Sequence, residues 1–328
     1  MLIGKMTSEV SAEMAPAVTQ VWRVGAIMNE PLKEVLKFCA WYLALGADEL
    51  TICFDNPDDP AIEALSEHPR VRCIPCTPAF WQSLGLTAES AFVKRQNAAL
   101  TWIYGQYPDG WLLNVDADEF MYFEGRGVAD VLQQEGGQAL SIRVITAERV
   151  IAPEGVGETL FRRPMAYDVR KSVYGTDAKL FGPKRSGLVG HPQGKSFVRC
   201  GVAGLQLRQH WPRAGSVEAG EEVLLDHRDG AHLLHMIGAD FEIWRNKLAW
   251  RCGSRGFTDP LTERIEAALA SSQRETELRD LFSRLHALRP DQVAHLERED
   301  ALLRLKWDLT ALMQREFGIV LERIDTPG

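Results

Sequence analysis

The chain contains no apolar run approaching the length of a membrane span, so no transmembrane helix organises it. It has no surplus of basic charge: 37 Lys and Arg stand against 45 Asp and Glu, a net −8. Nucleic acid is thereby disfavoured as the main partner, because a phosphate backbone needs a basic surface, although a local basic pocket for one diphosphate remains compatible. Cysteine is scarce, six in 328 residues, with no second pair to complete a zinc site around Cys73-Ile74-Pro75-Cys76. That CxxC reads as a buried, inert pair of thiols, and Cys39, Cys53, Cys200 and Cys252 show no metal spacing. No GxGxxG follows the first predicted strand, which speaks against a nicotinamide cofactor. Internal repeats and low-complexity tracts are also missing. Residues 1–20 lack a continuous apolar core and carry Glu9 and Glu13, so they read as a flexible arm rather than a signal peptide or anchor. These absences point to the cytoplasm and to reduced cysteines.

What is present is the composition of an ordinary globular protein, 45% hydrophobic and 25% charged. Strands are predicted over 21–27, 50–54, 71–74, 111–115 and 140–146, with helices between them. Pro31 suits a first helical position; Leu32, Val35, Leu36, Cys39 and Leu43 follow at helical spacing, and Gly46 closes the helix. A longer helix is expected over about 88–104. Such alternation implies an α/β fold with a mostly parallel sheet. The strands ending near 28, 54 and 115 then bring Asn29, Glu30, Asp55 and Asp116 to one rim. Residues 152–228 are irregular and read as a lip over the sheet edge. After an apolar piece at 231–237, the chain turns helical and highly charged from 260 to 317.

The densest chemistry lies in Trp111-Leu-Leu-Asn-Val-Asp116-Ala-Asp118-Glu119-Phe120. Carboxylates at a strand's carboxyl end sit where open α/β sheets bind ligands. Their mutual repulsion calls for a cation, which hard oxygen ligands hold well. Asp116 and Asp118 therefore suit a divalent metal bridging a diphosphate. Two other readings remain: Asp116 as nucleophile of a haloacid-dehalogenase-like phosphohydrolase, or simple helix capping. The phosphohydrolase reading expects its acids on the first strand, whereas at least three strands precede these. Gly190-His-Pro-Gln-Gly194-Lys195-Ser196 mimics a P-loop, but the first required glycine falls on Val189 and strand-like residues follow instead of a helix. Lys195 retains a possible role as a point charge on phosphate. His210, His227, His232 and His235 follow the irregular region, and one of them joining Asp118 would be chemically sensible.

Taken in order, strand-Met28-Asn29-Glu30, Trp41-Tyr42-x-x-Leu45-Gly46, Asp55-Asn56-x-Asp58-Asp59, Arg95-Gln96 and the Asp116-x-Asp118-Glu119-Phe120 segment resemble a bacterial family-2-like glycosyltransferase with a GT-A fold. The resemblance is strong over 21–123 and weaker to about 251, where Lys195–Arg199, His210, His235, Trp244 and Lys247 are similar to later landmarks. It implies a GT-A, Rossmann-like domain over 21–251, with a nucleotide-sugar half (21–150) and an acceptor or lip half (151–251), and a helical C-terminal extension over 252–328. The resemblance further implies a nucleotide-diphosphate sugar donor and a Mn or Mg ion on Asp116, Asp118 and His235. Asn29, Glu30, Asp55, Arg95, Gln96 and Lys195 would bind the donor, and Asp116, Asp118 and Glu119 would serve catalysis, with inversion. Glu148, Asp168 and Asp226 are candidate bases. Where relatives carry a Gly-Ser-rich turn, this chain reads Ile145-Thr-Ala-Glu148-Arg149, which leaves the acceptor open: a glycan or a lipid-linked acceptor, the latter met at the membrane periphery. A non-catalytic nucleotide- or sugar-binding protein on the same scaffold is the contrasting reading. The charged C-terminal helices are expected to serve a homodimer, docking to an assembly, or a solvated cap.

Overall fold

The computed structural model describes residues 20–318 apart from 215–219 and 255. The expected N-terminal arm, except Gln20, and residues 319–328 of the C-terminal segment lie outside the described residues.

The first half alternates as anticipated: β1 (Trp22–Met28), α1 (Leu32–Ala44), β2 (Glu49–Phe54), α2 (Pro60–Leu65), β3 (Val71–Pro75), α3 (Pro78–Ser83), α4 (Phe92–Tyr104) and β4 (Trp111–Asn114). β4 is buried along its whole length, as its uninterrupted apolar run requires of a strand covered on both faces. Helix α4 starts later than the expected residue 88, because Thr87 and Ser90 hydrogen-bond each other in a turn before Ala91 caps the helix. The chain continues through β5 (Glu119–Phe123), α5 (Val128–Glu135), β6 (Ala139–Val144), β7 (Thr146–Val150), β8 (Thr159–Arg162), α6 (Tyr167–Tyr174), β9 (Lys195–Arg199), β10 (Leu205–Gln206) and β11 (Arg213–Ala214). Then come β12 (Glu221–Leu225), β13 (Ala231–His235), α7 (Phe241–Asn246), α8 (Leu248–Gly253), α9 (Asp259–Ala270), α10 (Arg274–His286), α11 (Pro290–Arg298), β14 (Leu302–Leu305) and α12 (Leu309–Phe317).

The main sheet has seven strands in the order β12-β6-β9-β4-β1-β2-β3. All its neighbours pair in parallel except β9, which runs antiparallel between β4 and β6. This is an α/β, Rossmann-like architecture with helices packed on a mostly parallel sheet. The irregular 152–228 region is therefore only partly a lip, since β9 and β12 from within it build the sheet. A second sheet, β14-β8-β7-β13-β5, stands beyond the carboxyl end of β4. It was not legible in the sequence, because the acids at 116–119 read as a terminus although a strand starts at Glu119.

The segment after 251 is mostly helical, and it is stitched into the rest. β14 pairs antiparallel with β8, and α9 to α11 share a hydrophobic core with α6 and α7. Trp307 packs on Trp41, ring centroids 5.0 Å apart. Trp41 and Tyr42 of α1 in turn hold the backbone of β5: Trp41 Nε1 donates to the Met121 carbonyl and Tyr42 Oη to that of Glu119, each at 2.9 Å. Two buried aromatics of the first helix thus fix the strand that carries the acidic turn.

Candidate functional site

β4 ends at Asn114, and the chain then turns through Asp116 to Asp118 before entering β5. Within this turn the Asp116 amide donates to Glu119 Oε2 at 2.9 Å and the Glu119 amide to the Asp116 carbonyl at 3.1 Å. The three acids then part company. Glu119 is buried, and Lys195 Nζ lies 3.3 Å from it and 2.9 Å from Asp116 Oδ2. Gln96 Nε2 donates to the other Asp116 oxygen at 2.8 Å, and Gln209 Nε2 in turn donates to Gln96 Oε1 at 2.7 Å. Asp118 faces another way, toward His235 Nε2 at 3.7 Å and Arg251 at 3.4 Å, with 27% of its side chain exposed.

Electrostatics follow from these partners. Burial opposes the Lys195 charge, and Asp116 with Glu119 overrides it, keeping the ammonium protonated far above its ordinary range. Burial, seconded by the neighbouring Asp116 and Asp118, pushes Glu119 up to about 7 in spite of Lys195. Burial also works against an ionised Asp118, but the attraction of His235, Lys247 and Arg251 holds its carboxyl well below the carboxylate range. His235 is the mirror case: burial disfavours its charge, and Asp118 above all raises its affinity for a proton.

Behind His235 lies Glu148, 3.8 Å from His235 Nδ1 and wholly buried. Arg162 reaches Glu148 Oε2 at 2.9 Å, and the amides of Val189 and Gly190 donate to its two oxygens. Arg162 also donates to Tyr174 Oη at 3.0 Å and to the Leu285 carbonyl at 2.6 Å, which ties α6 and α10 to the site. A side chain at position 190 would have its Cβ 2.9 Å from both Glu148 and His235, so glycine there lets the backbone approach the carboxylate.

The expected rim is assembled, with changed roles. Glu30 pairs with Lys247 at 2.8 Å, Asn29 is exposed beside it, and Asp55 pairs with Arg95. Lys195 is not a free phosphate contact: it opens β9, is 1% exposed, and is committed to Asp116 and Glu119. Its strand context also disposes of the P-loop mimicry, and Gly194 before it adopts φ +76° where a Cβ would collide with the Val144 carbonyl. Glu119 is a buried strut rather than an open catalytic carboxylate. Of the candidate bases, Glu148 is sealed by its donors, Asp168 is exposed in the first turn of α6, and Asp226 caps the short turn at His227–Asp229. His210 binds the Gly194 carbonyl at 2.9 Å, leaving His235 as the histidine beside Asp118. Sequence reasoning missed Gln209, Arg162 and Arg251. Only Arg251 carried a signal, its spacing of four from Lys247, which the helical bond between their backbones turns into a shared face.

Among the described residues no group of three His, Cys, Asp or Glu side chains is set to hold a metal ion. The expected trio of Asp116, Asp118 and His235 is split, since Asp116 turns to Lys195 and Gln96. Asp118 and His235 remain adjacent and partly open. Two protein donors of that kind suit a hard divalent ion whose other positions come from phosphate and water. The CxxC is likewise no metal site: all six cysteines are free, and burial pushes Cys73 up to about 11. No described helix is long and apolar enough to cross a membrane.

No protein-family model matches the chain, and no curated protein matches it. Among solved structures it is similar to the crystal structure of 4-diphosphocytidyl-2C-methyl-D-erythritol synthase, at a TM-score of 0.28 and 13% identity over 44% of this chain and 69% of that one. A likeness this slight carries no argument about chemistry.

Proposed function

We propose that the protein is a glycosyltransferase that binds a nucleotide-diphosphate sugar across the carboxyl ends of β2, β1 and β4 and transfers the sugar to an acceptor hydroxyl. The observation that carries the reading is the division of labour in the acidic turn. Asp116 and Glu119 share the one buried ammonium of Lys195, whereas Asp118 stands between His235 and Arg251 at loose ion-pair distances. A polar rim with two part-exposed carboxylates, Asp116 and Asp118, the second only loosely paired to its cations, suits a ligand that brings its own negative charge.

In this reading Asp118 and His235 would hold a divalent ion, Mn or Mg, together with the donor's diphosphate. When bound, such an ion neutralises charge developing on the departing nucleotide diphosphate. Arg251, only loosely engaged with Asp118, turns a guanidinium donor to a phosphate oxygen, and Lys247 adds a second positive charge. Gln96 and Lys195 keep Asp116 in place at the floor, facing the ribose. Glu148 holds His235 in orientation through the packed Arg162 network.

Thermal shift with UDP, GDP, ADP and CDP, each with and without manganese, tests the proposal. A rise in melting temperature with one nucleotide that needs the metal and disappears in Asp118→Ala is the expected result, since a ligand of the native state stabilises by mass action. No shift with any nucleotide overturns the reading. A shift unaffected by Asp118→Ala overturns the assigned site. Release of free nucleotide from the donor sugar only when an acceptor is supplied separates a transferase from a non-catalytic binder.

A further inference from the structure

Tryptophan usually hides its bulk in a core, so a half-exposed indole beside a polar rim asks for an explanation. Trp250 is 52% exposed and sits on α8, the short helix that also brings Arg251 to Asp118. Its ring meets that of Phe92, the first residue of α4, edge to face, with centroids 6.2 Å apart at 86°. Val93, next along α4, is 43% exposed. Apolar surface thus gathers where α4 and α8 converge.

The contact belongs to a continuous chain. Arg95, one helical turn beyond Phe92, lies over the Phe92 ring at 5.7 Å and over buried Trp81 at 5.4 Å. Its guanidinium also donates to the Ser90 carbonyl at 3.0 Å and pairs with Asp55 at the end of β2. Meanwhile α8 is pinned at two points: Lys247 at its start to Glu30, and Arg251 to Asp118. Trp250 is therefore a side chain on a helix anchored to the rim at Glu30, after β1, and at Asp118, after β4. It is one step from Asp118 through Arg251 and two from Asp55 through Phe92 and Arg95.

Geometry selects the occupant. Asp55 and Asp116 terminate strands separated by β1, hence about two strand spacings or roughly 10 Å apart. That distance leaves room for a ribose at the Asp116 end beside a ring at the Asp55 end, with the diphosphate carried on past Asp116 toward Asp118. A planar base has the π-face that an exposed indole binds, whereas the diphosphate has none.

We propose that Phe92 and Trp250 form an aromatic clasp for the base of a nucleoside diphosphate, with the Arg95–Asp55 pair fixed at its edge. This rests on the reading of the rim as a nucleotide-sugar site and names the residues that grip the nucleoside. The test is calorimetric titration of the full-length protein and of Trp250→Ala and Trp250→Phe, using UDP, GDP, ADP and CDP beside inorganic pyrophosphate, which has no base. In Trp250→Ala, affinity for the preferred nucleoside diphosphate falls about ten- to a hundred-fold while that for pyrophosphate stays within about two-fold. Trp250→Phe recovers most of the loss, because a ring is restored. Nucleoside diphosphate binding as tight in Trp250→Ala as in the parent overturns the clasp and leaves the nucleotide-sugar reading intact. An equal loss for pyrophosphate overturns it too, since the indole would then act by holding α8. If the parent binds no nucleoside diphosphate, clasp and function reading fall together.

Discussion

Two carboxylates less than a side chain's length from His235 have opposite surroundings. Glu148 is wholly buried and saturated: Arg162, two backbone amides and the imidazole occupy it, and Arg162 is itself locked to Tyr174 and the Leu285 carbonyl. Asp118 is partly exposed, and its partners His235 and Arg251 stand at 3.7 and 3.4 Å, loose ion-pair distances rather than tight hydrogen bonds. A charge that has been desolvated can persist only with its donors in place, whereas one that still touches water can exchange partners. The first arrangement suits architecture and the second suits a ligand. His235 lies between them and couples the two.

Breaking the buried side should have the largest effect. Arg162→Met leaves Glu148 charged and short of its principal partner, and unfolding free energy should drop by about 3–5 kcal/mol. Urea denaturation reads this directly, and a loss below about 1 kcal/mol would show that the pair is not the strut described. Asp118→Asn should behave the other way: stability within about 1 kcal/mol of the parent, as for a partly exposed ion pair, with loss of metal-dependent nucleotide binding. If it destabilised as much as Arg162→Met, the contrast between the two carboxylates would collapse.

A subtler test uses pH. The His235 proton affinity is raised above the ordinary 6.5, against the pull of burial and chiefly by Asp118. A raised imidazole contributes stability that is fully present below the unfolded value and is lost as pH climbs through the folded one. The parent should therefore lose more stability than Asp118→Asn as the pH rises above about 6.5. Parallel curves would remove Asp118 as the cause. The smallest effect is expected of Lys247→Ala, whose pair with Glu30 is about a quarter exposed on each side; it should change stability by no more than about 1 kcal/mol.

Much of this framework was visible before folding was considered. Hydrophobic periodicity located β1, α1, β2 and β4 to within a residue or two, because burial on a sheet or helix face constrains side chains locally. The same reasoning put Glu30, Asp55 and Asp116 at strand ends and preferred His235 to His210. The second sheet escaped notice, since β5 begins on an acid and β7 follows β6 with one residue between them. The roles of the acids escaped too. Nothing near Asp116 in the chain announces that Lys195, 79 residues away, will be buried against it, and β9's antiparallel insertion between β4 and β6 is what delivers that lysine. Glu148 passed for a candidate base because its sealing donors come from Arg162, Val189 and Gly190, joined only in space.

By itself, then, the sequence determined where chain direction and apolar burial must bring the acids: a single rim at the carboxyl ends of parallel strands. The tertiary structure alone decided which acids share a buried lysine and which is left to the loose pairing of His235 and Arg251. An ionised side chain takes its state from the solvent exposure and opposite charges within a few ångströms, and here those neighbours arrive from distant strands and helices.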